Sequence, residues 1–164
     1  MNKLNKKHEQ GFSLIELLVV IGIIGVLASI AVPQFSSLRE KAFDAAAISD
    51  LKQIKLMQEL FRNEGGPYAP FTIDDKVSGS LSVVVDGKIF SVPSLSANVE
   101  ILCKTDAAGN NLIIAARHTG SSVIIAIDSN ASESWRKLSN QVALTDALVP
   151  ASTAGDDLAG WATL

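Results

Sequence analysis

A chain of 164 residues holds one ordinary domain plus a short additional segment. Hydrophobic residues make up 48% and charged residues 19%, and the apolar excess is concentrated near the N-terminus. The net charge of −3 is uneven: residues 1–11 carry Lys3, Lys6 and Lys7 against Glu9, a net of +2, so the remainder carries −5. An acidic body excludes general phosphate-backbone binding, which needs clustered Lys and Arg, so nucleic acid is not expected as a strong direct ligand. The one cysteine, Cys103, excludes an intramolecular disulfide, and core packing must hold the domain together. Cys103 reads as a small buried hydrophobe on a strand, with a reactive thiol or an intermolecular crosslink as the alternative.

Residues 1–11 are short, polar and basic. Phe12 to Val32 follows as a 21-residue run in which Glu16 is the only charge. As a helix it spans about 30 Å, the thickness of a bilayer core. Lys3, Lys6 and Lys7 should keep the N-terminus cytoplasmic and send the rest of the chain across. Three readings compete. A secretory signal could be cut near Ser29-Ile30-Ala31, but a carboxylate then sits early in its apolar stretch and the helical pattern runs on past the cut. A plain membrane anchor explains the length and leaves Glu16 unexplained, although a buried ionisable group costs roughly 2.5–3.5 kcal/mol on insertion scales and usually marks function.

The third reading rests on Gly11-Phe12-Ser13-Leu14-Ile15-Glu16. This hexapeptide, with its basic leader and long apolar run, closely resembles the processing site of type IV prepilins and type II secretion pseudopilins. The resemblance covers residues 11 to about 35 and includes Pro33 just beyond the apolar segment. It implies that a membrane peptidase cuts between Gly11 and Phe12 and methylates the new amine of Phe12. It also implies that Glu16 takes part in recruitment and assembly, and that the helix can unwind between Gly25 and Pro33 in a filament. Proline there removes a backbone donor and disfavours helix at Val32, so the stretch is intrinsically weak.

The need for Glu16 also follows from electrostatics. A cut after Gly11 creates a positive amine on Phe12, and a packed bundle of such helices would bury it. Buried charge needs a partner. Glu16 of an axially offset neighbour can supply one and so set the register, whereas the bland alternative is that Glu16 snorkels to the headgroups. Leu14 to Ile24 is apolar on all faces, as suits a helix surrounded by lipid or by neighbours, and Gly22, Gly25, Ala28 and Ser29 allow close approach.

From Gln34 the pattern becomes amphipathic. Phe43, Ala47, Leu51, Ile54, Met57 and Phe61 form one stripe at helical period, with Asp50 among the residues assigned to the polar surface. The helix should end near Gly65-Gly66-Pro67. Residues 65–80 read as a connecting loop. Strands are expected at 81–85 and 88–92, flanking the hairpin signal Asp86-Gly87, and at 99–104, 112–117 and 123–128. Residues 134–148 read as a short helix or irregular packing, and 150–164 as a surface tail. The whole is an α+β, type IV pilin-like arrangement: a long N-terminal helix whose C-terminal half packs on one antiparallel meander. Family members often close the C-terminal region with a disulfide, so another closure must act here.

No catalytic constellation, metal-ligand spacing or phosphate loop is recognisable, so neither an enzyme nor a cofactor or metal is expected. His118 beside Arg117 reads as a packing or surface residue. Asp74-Asp75, Asp106 with Asn110 and Asn111, and Asp156-Asp157 read as solvated turns rather than calcium loops. Asn130-Ala131-Ser132 matches the short glycosylation acceptor pattern. The expected organisation is a leader, 1–11; a transmembrane and filament-core helix, 12–33; and an exported domain, 34–164. The resemblance implies a structural pilus subunit for adhesion, twitching motility or DNA uptake. Its partners would be further copies in a helical filament, a prepilin peptidase, the inner-membrane assembly machinery, and the membrane before assembly. The precursor would lie in the inner membrane and the product on the cell surface. A type II secretion pseudopilin and an exported binding module with an N-terminal anchor are the alternatives.

Overall fold

The computed structural model describes residues 12–130 and 135–164. Gly11 and the rest of the leader, and Ala131 to Ser134 with most of the glycosylation pattern, lie outside the described residues. Helix α1 runs Leu14–Asn63, 50 residues, and Pro33 lies inside it. The chain divides into two compact units, one up to Arg39 and one from Glu40 to Leu164.

In the second unit α1 presents Ala47, Leu51, Ile54 and Phe61 to the core, as the stripe predicts, with Met57 half-buried beside them. Two polar residues share that face. Asp50, expected on the surface, is buried and accepts bonds from Ser96 N and Oγ at 2.9 and 3.0 Å. Gln58 is fully buried and pairs with the backbone of Ala69 in both directions, donating to its carbonyl at 2.7 Å and accepting from its N–H at 2.9 Å. Both positions lie within one turn of buried apolar residues, so helical geometry draws them inward. Their hydrogen bonds offset the desolvation.

After α1 come β1 (Lys76–Val77), β2 (Ser80–Val85), β3 (Lys88–Val92), β4 (Val99–Thr105), β5 (Leu112–His118), β6 (Ile124–Asp128), β7 (Arg136–Leu138) and β8 (Ala162–Thr163). The five expected strands are present. They do not form one meander: β1-β2-β3 is a separate three-stranded sheet, and β4-β5-β6-β7-β8 is a five-stranded antiparallel sheet. Asp86 and Gly87 both have positive φ, 51° and 77°, as a two-residue hairpin turn between β2 and β3 requires.

The five-stranded sheet is covered on both faces. One face packs Ile101, Cys103, Ile114, Ala116, Ile125 and Ile127 towards α1 and the small sheet. The other packs Leu102, Ile113, Ala115, Ile124 and Ala126 against Leu144, Val149 and Leu158. Residues 150–164 lie largely at the surface, as expected, but are anchored rather than a free tail: Leu158 is fully buried and β8 extends the sheet edge through Arg136↔Thr163 and Lys137↔Ala162. The reason is visible in β5 and β6, which are apolar at nearly every position. A strand without alternation needs cover on both sides.

Polar contacts fasten this C-terminal segment where a disulfide is excluded. Lys104 Nζ donates to the carbonyls of Asp146 and Val149 at 2.7 and 2.8 Å. Asp128, buried, accepts from Asp157 N at 2.9 Å, and Asn130 Nδ2 donates to Thr153 O at 2.6 Å. Arg136 pairs with Asp156 at 2.9 Å. Glu100 Oε2 accepts from both Arg117 Nε and Leu144 N, at 3.1 and 3.0 Å. The acidic turns are caps in the same sense. Asp75 caps Thr72, Asp157 caps Thr153, and Asp106 accepts from the N–H groups of Asn110 and Asn111. The bonds from Asn111 and its neighbours hold the Asp106 carboxyl below the usual range.

Cys103 is buried on β4, and burial pushes its thiol far above the usual range, which makes it a packing residue rather than a nucleophile. His118 stacks on Phe43 with ring centroids 4.1 Å apart, and its Nδ1 accepts the Gly120 N–H at 3.0 Å, again a packing role.

If Leu158 anchors residues 150–164 on the sheet, Leu158→Ala should cost about 2–5 kcal/mol in denaturant unfolding of the detergent-solubilised chain. A loss below about 0.5 kcal/mol, the range of ordinary surface substitutions, would mean that Leu158 does not anchor the segment.

Candidate assembly surface on the N-terminal helix

Helix α1 begins with a reciprocal cap. The Ser13 N–H and Oγ–H both donate to Glu16 Oε2 at 2.8 Å, and Glu16 N–H donates back to Ser13 Oγ at 3.3 Å. This is the Ser-x-x-Glu capping box, in which the N-cap hydroxyl and the third helical carboxylate satisfy each other's exposed backbone donors. The sequence carries that signal in Ser13-Leu14-Ile15-Glu16, and the reading of Glu16 as an assembly residue overlooked it. The carboxylate also sits in the first turn, where it offsets the positive end of the helix dipole.

Beyond the cap, every residue from Leu14 to Val32 is exposed, including Leu17, Leu18, Ile21, Ile24, Leu27 and Ile30. The segment is long and apolar enough to cross a membrane by length and composition. Phe12 is 90% exposed just before the cap. Gly22 and Gly25 face open space, so neither is required by contacts within the chain. Ser29 turns its hydroxyl onto Val26 O at 2.7 Å, leaving no unpaired donor on the apolar surface at that point. Gly25 and Pro33, expected to weaken the helix, both lie within continuous α-helix in the single chain.

Full burial of each large aliphatic side chain contributes roughly 1.5–3 kcal/mol. A dozen such residues left uncovered form a surface that lipid or other chains must cover. It has no chemistry beyond burial, apart from the one carboxylate held by Ser13.

The prokaryotic N-terminal methylation motif is matched over residues 6–32. The type IV wide pilus major component PilA4 of Thermus thermophilus is 32% identical over 92 residues, covering 56% of this chain and 70% of that protein. The chain belongs to the type IV pilin and pseudopilin family. The type IV major pilin protein PilA of Myxococcus xanthus is 39% identical over 64 residues, 39% of this chain and 29% of the relative. The type II secretion system core protein G of Aeromonas hydrophila is 34% identical over 65 residues, 40% of this chain and 46% of the relative. The chain thus spans less than half the length of these last two relatives. The α+β fold, with its long N-terminal helix and antiparallel sheets, is that of a pilin.

Gln can replace Glu at the third helical position of a capping box, but Ala cannot replace Ser at the N-cap without a cost of about 0.5–2 kcal/mol. Ser13→Ala should therefore speed amide exchange over residues 13–17 in detergent micelles, whereas Glu16→Gln should leave it near wild type. Equal protection in Ser13→Ala and wild type would mean the cap is not formed in solution.

Proposed function

We propose that this chain is a structural subunit of a type IV pilus that polymerises through its N-terminal helix into an extracellular filament for adhesion, motility or DNA uptake. The observation that carries the reading is the capped, all-round apolar helix end that the chain leaves uncovered. The relation to a wide-pilus major component over 70% of that protein's length supports the pilus over the secretion machine. The second reading, a type II secretion pseudopilin, is supported by relatives named as core protein G.

In this account residues 1–11 are a leader, 12–33 the transmembrane and filament-core helix, and 34–164 the exported domain. A prepilin peptidase cuts between Gly11 and Phe12 and methylates the Phe12 amine. The cut falls one residue before the N-cap, so Ser13 and Glu16 keep their capping box in the mature chain. The new amine then lies at the positive end of a helix dipole, where it is disfavoured. A carboxylate accepts several bonds at once, so Glu16 can hold its own Ser13 and still receive the Phe12 amine of an offset neighbour. Among packed helices such a pair attracts more strongly than it would in water. Any other axial offset leaves both charges buried and unpaired, which is costly. The amine–carboxylate pair therefore selects the register, while aliphatic burial supplies the driving force.

The membrane holds the precursor, and the inner-membrane assembly machinery transfers it to a filament of further copies at the cell surface. Assembly unwinds the helix between Gly25 and Pro33, where proline has already removed one backbone bond. A filament density map showing unbroken α-helix through that stretch would rule the unwinding out.

N-terminal sequencing with intact mass, on material sheared from cells, tests the processing. The expected result is a start at Phe12 with one added methyl group. A start at Val32, or an uncut Met1, would reduce the segment to a signal or an anchor.

A further inference from the structure

The exported domain carries two unlike surfaces on opposite flanks of α1. On one flank lies the small sheet: Gln53 Nε2 donates to Pro93 O at 2.7 Å and Lys88 Nζ to Glu64 O at 2.6 Å, so β3 runs alongside the helix there. On the other flank Lys52, Lys55, Leu56, Glu59, Ile127 and Trp135 line an open groove between the helix and the large sheet. Gln53 and Lys52 project to opposite sides of the helix, because their angular positions at 100° per residue fall on opposite sides of the buried stripe.

The hairpin tip is apolar with one negative charge. Val84 and Ile89 are cross-strand partners, and each is 70% exposed. Asp86 forms the turn beside them, and the nearby Lys88 is turned away onto the end of α1. The groove is apolar with a small positive excess, Lys52 and Lys55 against Glu59. Leu56 is 60% exposed, Lys52 is exposed at its rim, and the Glu59 carboxylate on its wall is engaged by the Tyr68 hydroxyl at 2.8 Å. In a domain whose net charge is −4, this lysine rim is a local reversal of sign. Val84 and Ile89 support each other across the strands and still leave most of their apolar surface uncovered.

We infer that the β2–β3 hairpin tip of one copy docks into the Lys52–Leu56–Trp135 groove of the next copy, with Asp86 facing Lys52. The inference rests on the filament reading above. Because the two surfaces differ and lie on opposite flanks, the contact is heterologous: each copy offers one tip and one groove, and the series propagates without closing on a two-fold axis. Val84 and Ile89 would supply the burial and the opposite charges the orientation. The partner is thus a second copy of this chain, through its exported domain and in addition to the N-terminal helix.

The test is crosslinking of intact filaments made from the full chain carrying Leu56→Cys and Ile89→Cys, using a short bifunctional maleimide. Cys103 is buried and stays out of the reaction. The expected result is a ladder of dimer, trimer and higher multimers from the double variant, lost in either single variant. Filaments that contain the double variant but give no ladder overturn the head contact alone. A dimer from Ile89→Cys by itself would also overturn it, since that would mean a symmetric tip-to-tip contact. If the chain is absent from sheared filaments, both the contact and the subunit reading fail. A charge exchange gives a second measure: Lys52→Glu and Asp86→Lys should each lower filament yield, and the two together should restore it. Yields that fall additively in the double charge variant overturn the pairing.

Discussion

A helix of aliphatic residues that its own chain does not cover is the constraint on which the rest depends. Leu14 to Val32 is exposed throughout, and its side chains alternate with nothing that water would welcome except Glu16. Such a surface is stable in lipid or among its own kind, and both environments exclude water equally. In the proposed function that equivalence would let one segment serve as membrane store and then as filament core, changing only between Gly25 and Pro33. What distinguishes the two states is the carboxylate. In a single chain Glu16 closes the capping box with Ser13. Under the proposed function it would also receive the Phe12 amine of an offset neighbour.

The unit from Glu40 to Leu164 must meet a different demand, since it folds with one cysteine and no crosslink. Its large sheet is buried on both faces, by α1 on one and by residues 144–158 on the other. The C-terminal segment is held by carbonyl contacts from Lys104, by the buried Asp128 and by the Arg117–Glu100–Leu144 bonds. These bonds are individually modest, about 0.5–1.5 kcal/mol net each. Together with the burial of Leu144, Val149 and Leu158 they fix a segment that is otherwise irregular.

Much of this was legible in the residues. The stripe from Phe43 to Phe61 has helical period, and Asp86-Gly87 marks its hairpin, so α1 and β2–β3 follow from local chemistry. The division into two sheets was not legible, because β1 and β8 have two residues each and carry no periodic signal. The role of residues 150–164 had a signal that was passed over. Ile113-Ile114-Ala115-Ala116 and Ile124 to Ile127 are unbroken apolar runs, and a meander with helix on one side alone would have left half of them wet. Asp50 and Gln58 show the opposite limit. Polar residues on a buried face look like surface residues until their partners, Ser96 and Ala69, are brought from far along the chain. At the N-terminus, the resemblance of Gly11 to Glu16 to a processing site drew attention from the simpler box that Ser13 and Glu16 form within one turn.

The central claim is that the charge of Glu16, rather than its part in the helix cap, selects the assembled register. Filament yield from cells expressing Glu16→Gln measures this most directly, because glutamine keeps the cap and removes the charge. The account predicts stable, processed, membrane-held protein and little or no filament. Wild-type filament yield from Glu16→Gln would contradict it and leave Glu16 as a helix cap.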